Sequence, residues 1–116
     1  MGDAPKRLPA HFYRLSSGTE PVREWLKGLP EADRRAIGQD VATAERGWPV
    51  GMPLCRSLGG GLWEIRSHLP SKRIARVIFC PVGGRMVLLH GFIKKTQKTP
   101  PADLNLARKR QTEIQS

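Results

Sequence analysis

Apolar residues recur at helical spacing through the first half of the chain and at strand spacing through the second. Val22, Trp25, Leu26 and Leu29 stand at i, i+3, i+4 and i+7, the stripe of an amphipathic helix. Thr19 has the chemistry of an N-cap for it, and Glu20 and Pro21 fall in the first turn, where a missing N–H does no harm. Gly28 and Pro30 interrupt the stripe, and a second helix is expected over about 31–46. Ala32, Ala36, Ile37, Val41 and Ala44 should face inward, with Gly47 as the stop. Ahead of both helices, residues 1–10 read as a flexible, polar lead-in. Residues 11–15 read as a short strand ended by Ser16-Ser17-Gly18.

Residues 47–61, rich in glycine and proline, read as an irregular connection. Gly59-Gly60-Gly61 matches neither phosphate-cradling glycine pattern. Three strands are then expected, at 62–67, 73–80 and 85–93, separated by turns of hairpin length at 69–71 and 81–84. Gly91, inside the last strand, marks a bulge or a close approach. Thr99-Pro100-Pro101 opens a C-terminal helix, with Thr99 as a cap residue before first-turn prolines, Asp103 well placed for the helix dipole and Leu104, Ala107 and Ile114 on one face. The expected fold is α+β: a single domain, 11–116, with the N-terminal strand and the three-stranded meander in an antiparallel sheet. Two N-terminal helices pack against that sheet, and a C-terminal helix follows.

Composition narrows the function. No apolar run approaches the roughly 20 residues of a membrane span, and residues 1–10 lack a signal-peptide core, so no membrane partner and a cytoplasmic location are expected. Cys55 and Cys80 lack a CxxC partner, and His11, His68 and His90 are scattered, so neither a metal site nor a cofactor is expected. Charge says more. Twenty Lys and Arg against ten Asp and Glu give +10, and the acids are segregated. None lies between Glu64 and Asp103, while Arg66, Lys72, Arg73, Arg76, Arg85, Lys94, Lys95 and Lys98 do. Such a surface attracts polyphosphate, which favours an RNA or DNA ligand over a merely solvated basic face.

The meander interleaves cations with core residues. Arg66 shares a strand face with Leu62 and Glu64, whereas Arg73 and Arg76 differ in parity and should face opposite ways. An arginine inside the apolar strand around Arg76 needs a partner, either Glu64 or a ligand phosphate, because burying it unpaired is expensive. After the last strand, Lys94-Lys95-Thr96-Gln97-Lys98-Thr99 concentrates groups that bind phosphate oxygens.

The strings Gly60-Gly61-Leu62-Trp63-Glu64-Ile65-Arg66, Arg76-Val77-Ile78-Phe79 and above all Leu88-Leu89-His90-Gly91-Phe92-Ile93-Lys94-Lys95-Thr96-Gln97-Lys98-Thr99-Pro100 resemble the phage-derived branch of HigB toxins. That branch sits within the RelE/ParE superfamily, and the likeness runs from about Tyr13 to Arg110. It implies a RelE-like fold and the toxin of a type II toxin–antitoxin pair, a ribosome-dependent, metal-independent mRNA endoribonuclease. It also implies neutralisation by a cognate helix-turn-helix, HigA-like antitoxin, with operator DNA reached only through that antitoxin. The positions matching the family's basic functional set are Arg66, Arg76, Lys94 and Lys95 as catalytic candidates. Arg73, Lys98, His90 and Thr96 are candidate RNA contacts.

Metal-free RNA cleavage needs a base for the 2′-OH proton, donors for the transition-state phosphorane and an acid for the leaving 5′ oxygen. Crowded cations depress the pKa of a lysine among them, so Lys94 or Lys95 can serve as base while arginines stay charged. His90 is an alternative base or a core residue. A ParE-like gyrase poison has the same fold, and a non-catalytic nucleic-acid-binding module has the same charge; neither is separated by fold alone.

Overall fold

The computed structural model describes residues 5–94 and 98–115. Its elements run β1 (Ala10–Phe12), α1 (Pro21–Lys27), α2 (Glu31–Gly47), β2 (Cys55–Gly59), β3 (Leu62–His68), β4 (Ile74–Val82), β5 (Arg85–Ile93) and α3 (Pro101–Gln115). The five strands form one sheet in the order β1-β5-β4-β3-β2. The architecture is the expected α+β, with two differences in the sheet.

First, the sheet is mixed. β2 to β5 are an antiparallel meander, but β1 runs parallel to β5, pairing Ala10 with Met86 and Phe12 with Leu88. Two intervening helices carry the chain from β1 across one sheet face, long enough a connection for a parallel partner. Second, part of the stretch expected to be irregular is strand β2. Gly59, Gly60 and Gly61 take φ values of +85°, +62° and +83°, so the glycines are the turn of a β2–β3 hairpin. A strand of five residues, beginning two residues after a proline and ending in glycines, has too little alternation to announce itself.

Other boundaries shift for local reasons. Glu20 is the N-cap residue of α1, with Pro21 in the first turn, and no side chain caps it. In α2, Ala32 is exposed and Asp33 takes the inward place. Residues 5–10 are tied to the domain more than the lead-in expectation implies: Leu8 is buried, and the N–H groups of Arg7 and Leu8 donate to Glu45 O.

The sheet separates two apolar clusters. One face packs against α1 and α2 through Val22, Ile37, Ala44, Ile65, Val77, Phe79, Met86 and Leu88. Trp48 stands edge-on to Trp63 and Phe79, at 5.0 and 5.3 Å between ring centroids. The other face packs against α3 through Tyr13, Leu62, Ile78, Cys80, Val87, Leu89 and Ala107. Gly91 is a close approach: a Cβ there would lie 2.4 Å from Trp25 Cε3, so only glycine lets α1 lie flush on β5. The bulge lies just upstream, where the β4–β5 register shifts between Ile78 and Phe79, opposite His90 and Leu88. No helix among the described residues is long and apolar enough to cross a membrane.

Candidate nucleic-acid interface

Helix α3 covers only part of its sheet face. The remainder carries charge, and the register explains why. Glu64 on β3 stands opposite Arg56 on β2 and Ile78 on β4, and Arg66 stands directly opposite Arg76. Strand alternation therefore delivers Arg56, Glu64, Arg66 and Arg76 to one face from three adjacent strands. Two arginines directly opposite each other repel, so such a pair persists where an anion offsets it.

Glu64 supplies part of that offset. Arg76 Nη1 lies 3.3 and 3.4 Å from the two Glu64 carboxylate oxygens and donates to Thr99 Oγ1 at 3.2 Å, while Thr99 donates to Glu64 Oε2 at 3.0 Å. Arg76 and Glu64 are 1% and 0% exposed, so this pair is fully withdrawn from water. Burial pushes the Arg76 guanidinium below its ordinary range; Glu64 opposes the change, and Arg66 and Arg56 add to it. A guanidinium so lowered still stays charged at neutral pH. Thr99, expected to cap α3, is instead drawn into this buried pair.

Lys94 closes the group. Its N–H donates to Ile74 O at 2.6 Å, fixing the residue beside the start of β4. Burial lowers the pKa of its ammonium, and Arg76, Arg66 and Arg56 lower it further against the pull of Glu64. Arg66 is half-buried and lines an open hollow of about 280 Å³ with Asp40, Pro53, Leu54 and His68. Its Nε is buried without a hydrogen-bond partner among the described residues. Arg56 is exposed. Among the described residues of this face, Glu64 thus sits among four cations, Arg56, Arg66, Arg76 and Lys94, with Asp40 at the hollow beside Arg66, leaving a net positive face able to take an anion.

The other candidates separate from this group. Arg73 turns to the opposite face, as its parity implies, and there pairs with the buried Asp33 of α2 at 3.1 Å. It clamps α2 to the β3–β4 turn together with the Ser71 N–H, which donates to Asp33 Oδ1 at 3.2 Å, so it does not belong to the cation face. Burial by itself would raise the Asp33 carboxyl, but hydrogen bonds from Ser71 and Arg73 outweigh it and hold it below the ordinary range. His90 does lie on the α3 face, yet its Nε2 is 2.5 Å from Asp103 Oδ1 and its ring stacks on Phe92, joining β5 to α3. Lys98 is exposed at the approach to α3. Lys95 and Thr96 lie outside the described residues.

Sequence reasoning missed Arg56 because β2 was not recognised, and missed Thr99 as a partner of the pair; it named Glu64 as one of two partners open to Arg76, and the structure pairs them. The available signal was Glu64 itself, a carboxylate within an otherwise acid-free basic strand segment. Both cysteines are buried. Burial, with Asp40 adding to it, pushes the Cys55 thiol up to about 11, so it is no nucleophile near neutrality. Among the described residues, no group of three or more His, Cys, Asp or Glu is placed to hold a metal ion.

Residues 24–112 match the family described as Phage derived protein Gp49-like (DUF891), whose members are commonly toxins of toxin–antitoxin pairs. No curated protein matches the chain significantly. The match spans α1 to the last turns of α3 and includes every residue of the cation face, so the chain belongs to the Gp49-like family of phage-derived proteins.

Proposed function

We propose that this chain is the toxin of a type II toxin–antitoxin pair that cleaves messenger RNA on the ribosome without a metal ion. A HigB-like role is the specific form of that reading, with a helix-turn-helix antitoxin as the neutralising partner and operator DNA contacted only through it. The observation that carries the reading is Lys94, a lysine of lowered pKa among Arg56, Arg66 and Arg76 on a partly uncovered sheet face.

In this reading the Lys94 amine takes the proton of a ribose 2′-OH. The 2′ oxygen bonds to the adjacent phosphorus, and the phosphorus–O5′ bond breaks as the 5′ oxygen takes up a proton. The products are a 2′,3′-cyclic phosphate and a 5′-hydroxyl. Arg66 and Arg56 hold the phosphate and the charge that grows on it, work suited to permanently charged guanidinium groups. Arg76 is a positioning residue: buried against Glu64, it acts through the field it imposes on Lys94 and through its hydrogen bond to Thr99.

The test is brief induction of the full chain without its partner, with messenger RNA 5′ ends sequenced and gyrase supercoiling assayed in parallel. New 5′-hydroxyl ends confined to translated regions, absent with Lys94→Met, are expected. Growth arrest with no new ends and with inhibited supercoiling would replace this reading by a gyrase poison. Normal growth with verified soluble protein would remove the toxin reading altogether.

A further inference from the structure

Beside the cation face lies a second feature that the cleavage chemistry does not use. Between α1 and the start of α3, a hollow of about 440 Å³ is lined by Trp25, Gly91, Phe92, Ile93, Pro100 and Asp103. That volume lies within the range of small-molecule sites. We propose that it is a guanine-binding pocket that receives a base of the RNA whose phosphate sits on the cation face; this rests on the RNA-cleaving reading above.

Four observations carry the assignment. The hollow adjoins the site: Phe92 is the register partner of Arg76, and Lys94 follows two residues later. A nucleotide with its phosphate on Lys94 and Arg66 therefore has an aromatic wall within reach of its base. Single-stranded RNA is read in this way, by unstacked bases packed on aromatic rings and hydrogen-bonded along their edges.

The hollow takes Trp25 from the α1 face and Phe92 from the α3 face of the sheet, so Phe92 is the ring that offers a base a stacking surface. Trp25 lies against β5 because position 91 has no side chain, and Phe92 is held parallel to the His90 ring, at 5.6 Å and 21°. β1 pairs with β5 only over Met86, Val87 and Leu88. The outer edge of β5 alongside the hollow therefore has no strand beside it among the described residues.

The polar group decides the base. Asp103 is the only acid between Glu64 and Glu113 in the sequence, and it stands at this hollow. Its Oδ1 is engaged by His90, and its Oδ2 has no hydrogen-bond partner among the described residues. A carboxylate accepts and never donates. Guanine presents N1–H and N2–H side by side, two donors to one acceptor group. Adenine sets an acceptor nitrogen beside its amino group, and uracil flanks its single N–H with carbonyls, so both place lone pairs against the carboxylate.

The experiment uses short 2′-O-methyl RNAs, which lack the nucleophile, differing at one position that carries guanine, hypoxanthine, adenine or no base. Binding to the full chain is read by fluorescence anisotropy at several salt concentrations, and the Trp25 indole is followed by NMR. Guanine should bind tightest, hypoxanthine several-fold weaker for want of the amino group, and adenine about tenfold weaker or more. The Trp25 indole signal should move only with base-bearing RNA. Asp103→Asn, which keeps a partner for His90, should bring guanine and adenine together. Phe92→Leu should move every base toward the abasic value, both variants being checked by melting and circular dichroism.

Salt-dependent binding that ignores the base would overturn the pocket and leave the RNA reading standing. A guanine preference unchanged in folded Asp103→Asn would overturn the role of the carboxylate and with it the assignment. Absence of RNA binding at any salt would overturn both the pocket and the reading it rests on.

Discussion

The two faces of the sheet obey one alternation rule and come to opposite ends. On the α1–α2 face, apolar side chains meet two helices, and the arginine directed there, Arg73, is absorbed by a buried carboxylate, Asp33. On the α3 face a single helix covers the apolar half, while the other half gathers Arg56, Arg66, Arg76 and Lys94 around one glutamate. Matched charge builds a clamp; unmatched charge builds a place for an anion. The same residue type three positions apart, Arg73 and Arg76, therefore serves different ends according to what stands across from it.

The most severe way to break this contrast is at the buried pair. Arg76→Ala should cost about 3–5 kcal/mol, because Glu64 is left charged and enclosed. Replacing both partners, Arg76→Met with Glu64→Leu, should recover most of that loss in chemical denaturation while leaving cleavage impaired. Arg73→Ala, whose arginine is half in solvent, should cost clearly less. Equal losses at the two arginines would mean that the faces do not differ as described.

Chemistry should break next, at Lys94. Lys94→Met should lower single-turnover cleavage on saturated ribosomes by about a hundredfold or more, the usual worth of a general base. Since the folded pKa lies below the ordinary 10.5, the parental rate should rise with pH as the amine deprotonates and level off below that value. Lys94→Arg should remove the rising limb. A parental profile that climbs unchanged to pH 10.5 would assign the proton transfer elsewhere.

A gentler probe is Arg56, exposed and outside the buried pair. Arg56→Ala should weaken binding to RNA and reduce the salt dependence by about one charge, with little change in stability. An unaltered salt slope would take β2 out of the interface.

The smallest effect belongs to the matched face. Asp33 has a lowered folded pKa, so its contribution to stability is present above the ordinary 3.8 and is lost as pH falls through the folded value. Asp33→Asn should flatten the stability profile below about pH 4 without altering the pH dependence of cleavage. A change in the cleavage profile would show that the two faces are coupled through the sheet.

How far these distinctions could be read in advance follows from their range along the chain. Helical stripes, the three long strands and the opposite facing of Arg73 and Arg76 are local properties of spacing, and the structure has them. β2 is not local in that sense: five residues ending in glycine become a strand because β3 offers them a partner, and Arg56 joins the cation face only through that pairing. Thr99 was legible as a cap by residue type. Its hydroxyl serves the Arg76–Glu64 pair instead, because a buried ion pair gains more from another hydrogen bond than an exposed helix end does.

The sequence by itself determined the class of fold, the basic character and the strand segment that carries it, since periodicity and charge are written residue by residue. Tertiary structure alone decided which cations share a face, which of them a carboxylate neutralises and where a hollow remains. Those outcomes depend on register between strands and on how much of a sheet face one helix can cover, distances that no spacing along the chain encodes.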